Sequence, residues 1–109
     1  MTLAGGAVPP DAFCGVREDE GPSLILRREA AERLGYACAH VCRRITLHVR
    51  SSLAAVGFLA RVCAALAGAG ISVNAVSAFH HDHLFVPPER AAEALERLAR
   101  EAREAREAR

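Results

Sequence analysis

The chain has 109 residues, 51% hydrophobic and 25% charged, with a formal net charge of +1 at pH 7. That length supports one modest core, and a charge this close to zero, carried by arginines scattered among acids, argues against a nucleic-acid partner. No apolar run reaches membrane-spanning length, and the opening MTLAGGAVPP lacks the basic start and long apolar centre of a secretory signal, so the expected setting is the cytoplasm with no membrane partner.

Residues 1–10 are small and read as a flexible segment. Residues 11–43 then read as a ββα fragment. Ala12–Arg17 and Ser23–Leu26 make two short strands around Glu18-Asp19-Glu20-Gly21, an acidic turn with a glycine available for positive φ. Arg28–Leu34 follows as a short helix closed by Gly35. Cys38, His40 and Cys42 stand at alternate positions, but in an extended segment Cys38 and Cys42 lie about 13 Å apart, too far for one metal ion. With Cys14 and Cys63 they make four cysteines, which suit a reducing compartment better than a disulfide framework.

Residues 44–100 change period in the order two, helical, two, two, helical. Ile45, Leu47 and Val49 alternate with Thr46, His48 and Arg50, as in a strand that buries one face. Leu53, Val56, Leu59/Ala60, Cys63 and Leu66/Ala67 recur at helical spacing until Gly68 and Gly70 end the helix. Ile71, Val73, Ala75, Ser77 and Phe79 resume the two-residue period, His80–His83 break it as a hairpin turn, and Leu84-Phe85-Val86 form the return strand. Pro87-Pro88 stops that strand, and Ala91/Ala92, Leu95 and Leu98/Ala99 mark a second amphipathic helix. Residues 101–109 extend it as a charged helical tail whose three-residue repeat holds no apolar stripe.

A βαββα order belongs to the α+β, ferredoxin-like class, with an antiparallel sheet and both helices on one of its faces. The expected core is Ile45, Leu47, Val49, Leu53, Val56, Leu59, Cys63, Leu66, Ile71, Val73, Leu95 and Leu98. Thr46, His48 and Asn74 should occupy the other face.

The richest candidate for function is Ser51-Ser52-Leu53-Ala54-Ala55-Val56-Gly57, where the first strand enters its helix. Unpaired N–H groups and the positive end of a helix dipole can hold a carboxylate there without a basic side chain, and either serine can cap the helix. Glycine inside a helix costs about 1 kcal/mol relative to alanine, so Gly57 points to a close approach by a ligand or a neighbouring backbone. If so, Gly57→Ala should fold well, and even gain stability, while obstructing a ligand. Asn74 can donate and accept on the polar face, where a plain solvated amide is the competing reading. His80-His81-Asp82-His83 invites a metal reading, but a turn tip tolerates histidines in water, and no metal or other cofactor is expected. No nucleophile motif or phosphate loop accompanies these residues, so no catalytic residue and no enzymatic activity is expected.

SSLAAVGFLARVCAALAGAGISVNAVSAFHHDHLFVPPERAAEAL resembles an ACT domain, with SSL..VG and N..S.F..DH.FVP as its most specific elements. With VREDEGPSLIL and RRITLHV it is similar to a family of short bacterial tandem-ACT proteins of unestablished function, related to the ACT modules of arginine sensors. The resemblance implies a regulatory module that binds a small molecule, an amino acid above all, at a domain or subunit interface. It also places Asn74 beside Ser52 and Gly57. The ββα fragment would be a partial ACT unit lacking its first strand and helix, so a homodimer is expected to cover its edges. Two other readings stay open: an interaction module without a ligand, and a metal-binding protein using the HHDH turn.

Overall fold

The computed structural model describes residues 8–38, 40–48 and 57–107. The chain divides into two compact units, Met1–Val41 and Cys42–Arg109.

In the first unit, β1 (Cys14–Glu18) and β2 (Gly21–Ile25) pair antiparallel around Asp19-Glu20, with Glu18 opposite Gly21 and Cys14 opposite Ile25. The Ser23 hydroxyl donates to the Glu18 carboxylate across this turn. Helix α1 (Arg28–Arg33) contributes Ala30 and Ala31 to the buried residues, beside Leu24 of β2. Arg33 of α1 pairs with Asp11 ahead of β1. A hairpin and one short helix bury little apolar area, which sets a low ceiling on this unit's own stability.

The second unit runs β3 (Arg43–Leu47), α2 (Phe58–Gly68), β4 (Asn74–Ser77), β5 (Asp82–Val86), a 3-10 turn (Pro88–Arg90) and α3 (Ala91–Glu107). Its three strands pair antiparallel in the order β3-β5-β4. The alternation of side chains across a strand puts Ile45, Leu84 and Val86 on one face, where they meet Val62 and Leu66 of α2, Ile71, and Ala94 of α3. Leu47, Phe58, Leu59, Ala69, Val73, Ala91 and Leu98 pack around this cluster. This is the ferredoxin-like arrangement, with both helices on one side of an antiparallel sheet.

The expected core shifts in three places. The buried stripe of α2 runs through Val62 and Leu66, and Cys63 lies half-buried beside it. In α3 the stripe is Ala91, Ala94 and Leu98, which leaves Leu95 55% exposed. A small side chain at Ala94 lets α3 lie close to the sheet, whereas the longer Leu95 points aside. Leu84 and Val86 are both fully buried. Val49, Leu53 and Val56 lie outside the described residues.

Helix α2 closes in a Schellman arrangement: the Ile71 N–H donates to the Leu66 carbonyl at 2.9 Å and the Gly70 N–H to that of Ala67 at 2.9 Å. The residue between must adopt left-handed geometry, and Gly70, at φ 74°, supplies it. Gly68 is still helical. Arg90, in the 3-10 turn before α3, holds this end, its guanidinium donating to the carbonyls of Ala69 at 2.9 Å and Gly70 at 3.3 Å while Nε holds Glu93 at 2.9 Å. A cation on the last carbonyls of a helix satisfies both their lone pairs and the dipole. Arg90→Ala should therefore lower stability by about 1–2 kcal/mol. Urea denaturation would show this as a lower midpoint with an unchanged slope, and an unmoved midpoint would mean that solvent replaces the guanidinium without loss.

Candidate functional site: the histidine face and the start of the second helix

The sheet face turned away from α2 and α3 carries the polar residues of the second unit. Strand pairing aligns Arg44 with Phe85 and Asn74 in one row, and Thr46 with His83 and Val76 in the next. His48 follows β3 with the same parity as Thr46, and His81 precedes β5 with the same parity as His83. All of these therefore share one face. The expectation that Thr46, His48 and Asn74 lie opposite the core holds. Asp82 aligns with Leu47 and Ser77 and takes the other parity.

At the hairpin end of this face the imidazoles gather. The rings of His48 and His81 meet edge to face with centroids 4.4 Å apart, and His81 lies 6.2 Å from His83 and 6.3 Å from His80. His83 Nδ1 is 3.1 Å from the Thr46 hydroxyl, a bond between directly opposed residues. His81 Nδ1 is buried and has no hydrogen-bond partner. Burial pushes the His81 pKa below its ordinary value of 6.5, and the neighbouring His48, His80 and His83 push in the same direction. Among the described residues, no three His, Cys, Asp or Glu side chains are arranged to hold a metal ion.

The turn differs from its sequence expectation. It spans Ala78–His81, closed by the Ala78 N–H donating to the His81 carbonyl at 3.0 Å. Asp82 and His83 belong to β5, because the ladder to β3 and the Thr46 bond extend that strand by two residues. Phe79 stands at the tip, 95% exposed, with its ring edge to face on His80.

Of the predicted ligand residues, Ser51, Ser52, Leu53, Ala54 and Val56 lie outside the described residues. Gly57 lies ahead of α2, not within it, at φ 76° and ψ −4°. A Cβ added there would meet nothing within 4 Å among the described residues, so the left-handed backbone by itself calls for glycine. Among the described residues no side chain caps α2, and its first turn holds no acidic residue. Asn74 is exposed at the start of β4, in the row of Arg44. The 49–56 connection leaves β3 from His48, at the other end of that strand. Arg44 to His48 spans about 13 Å of strand, and the register sets Asn74 at the Arg44 end.

Cys38, His40 and Cys42 are exposed, and all four cysteines are free. The sequence reading missed the His48–His81 contact and the Thr46–His83 pair. Parity of 46, 48, 81 and 83 was the available signal, and it becomes usable only once the β3–β5 register is known.

Among the described residues no helix is long and apolar enough to cross a membrane. No curated protein matches the chain. Among solved structures, a Vibrio cholerae protein described as of unknown function and a possible transport protein is 38% identical. The match covers 90% of this chain and 77% of that one, with a TM-score of 0.80. The ACT-domain pattern matches residues 38–100, taking in the whole β3–α2–β4–β5 unit and most of α3. ACT domains are non-catalytic regulatory modules that usually bind small molecules. On the match over residues 38–100 and the strand order of its sheet, this chain belongs to the ACT-domain family.

Proposed function

We propose that the chain is a non-enzymatic, cytoplasmic regulatory module that binds a free amino acid across a homodimer interface, with residues 44–100 as its sensing domain and 11–43 as a partial second unit. The observation that carries this reading is the start of α2, where no side chain among the described residues caps the helix. Those groups and the helix dipole favour a carboxylate. Ser51 to Gly57 would surround it, with backbone N–H groups of Ser52 to Val56 as donors.

The position of Asn74 gives the dimer its role. β3 and β4 are the edge strands of the described three-stranded sheet. A two-fold pairing of either edge sets the two sheets head to tail. Asn74 of the partner subunit then shares an end with this chain's 49–57 connection, and its amide is available to the ligand's ammonium group. Binding of this kind stabilises the assembled form by mass action, which is sufficient for regulation without chemistry.

A thermal-shift screen over the amino acids, followed by light scattering with and without the hit, tests the ligand and the dimer. Mixing chains tests the sharing. Chains with Ser52→Pro, which removes a backbone N–H, and with Asn74→Ala should each lose the ligand-induced shift alone, and a mixture should recover part of it, because one of the two shared sites in the mixed dimer is intact. No recovery in a proven mixed dimer would place both residues in one chain's site. No shift with any amino acid would leave an interaction module as the better reading.

A further inference from the structure

A further cluster of chemistry lies at the hairpin end of the histidine face. Four of the chain's five histidines meet there, at His48, His80, His81 and His83, with ring centroids 4.4–6.3 Å around His81. From β3 the groups turned to this face are Arg44, Thr46 and His48. From the turn and β5 they are His80, His81 and His83, and from β4, Asn74 and the apolar Val76. All can carry positive charge, donate a hydrogen bond or stay neutral. The nearest acid in sequence, Asp82, has the opposite parity, and the charges acting on His81 are all imidazoles. An imidazole nitrogen is buried here without a partner. Each feature costs free energy in the bare protein and is relieved by a single event: an anion arriving together with a proton.

We infer that His48, His80, His81 and His83, with the Thr46 hydroxyl, form a proton-linked site for an anionic group of the phosphoryl or carboxylate class. In its absence protonation of His81 is opposed by burial and by its three imidazole neighbours. A bound anion replaces that repulsion with attraction, so binding draws protons in and strengthens as pH falls. Linkage sets the scale: for each proton taken up, affinity rises about tenfold per pH unit through the titration range. The stability of the bare protein follows the opposite course. Because the pKa of folded His81 is lowered, the unfolded chain binds the proton first, and stability declines as pH drops below about 6.5.

The test is an NMR titration of the imidazole Cε1–Hε1 signals at fixed ionic strength, in chloride, in sulfate and in acetate. Sulfate keeps its charge across the range and stands for a phosphoryl dianion; acetate stands for a carboxylate. In chloride the His81 midpoint should lie below 6.5. It should rise in sulfate, in acetate or in both, and the responsive arm names the class. His81→Gln should abolish the anion effect at the remaining imidazoles. His40→Gln, which removes an exposed histidine outside the cluster, should leave it intact. Identical midpoints in all three salts would overturn the inference. An equal loss in the His40 variant would also do so, by exposing a general charge effect. The wild-type comparison decides the matter even if the His81 variant folds poorly.

Discussion

Leu66→Ala is expected to cost about 2–5 kcal/mol, the range for truncating a fully buried leucine where the surroundings only partly collapse. Leu66 is 0% exposed and belongs to the cluster that joins α2 to Ile45, Leu84 and Val86 of the sheet and Ala94 of α3. Its carbonyl also accepts the Ile71 N–H that closes α2, so a cavity at this position loosens packing beside the helix end. Small domains are stable by only about 5–15 kcal/mol in total, so this one change would remove a large share. Leu95→Ala is the matched control, a like change at a 55% exposed site, and should stay within about 0.5 kcal/mol. Denaturant titration of both variants checks the pair. Equal losses at the two positions would mean that the face of α3 is misassigned.

Gly57→Ala is expected to destabilise by about 1–2 kcal/mol, the cost of forcing a Cβ into left-handed geometry. This reverses the sign that sequence reasoning gave, because an interior helical glycine gains from alanine whereas a glycine at φ 76° loses. The empty space around its missing Cβ separates backbone strain from a clash. Asparagine, which tolerates the left-handed region, should therefore recover part of the loss. Domains of this size shift in Tm by roughly 4–8 °C per kcal/mol, so a thermal melt resolves the effect. A rise in Tm for Gly57→Ala would show that α2 extends through that position.

The two predictions also mark the limits of legibility. The βαββα order, the ββα fragment and the polar parity of Thr46, His48 and Asn74 all rest on local periodicity, and each is found in the fold. The exact stripe of a helix is harder, because an alanine-rich segment supplies apolar residues at neighbouring angles. Contact with the sheet, not composition, selected Val62 over Cys63 and Ala94 over Leu95. The run Leu84-Phe85-Val86 has no alternation at all, since the central strand buries residues of both parities. The site was less legible than the fold. Whether Asn74 can stand beside the start of α2 depends on strand direction and register, and no residue type encodes those locally.

The strand order also bears on synthesis. β5 lies between β3 and β4, and it emerges last of the three from the ribosome. Until Asp82–Val86 is made, β3 has no strand beside it: Thr46 waits 37 residues for His83. Helix α2 can form in the meantime, but the surface it must cover does not yet exist. The nascent chain thus holds Ile45 and Leu47 unpaired for about a third of its elongation, and a single late strand completes both edges' hydrogen bonding together.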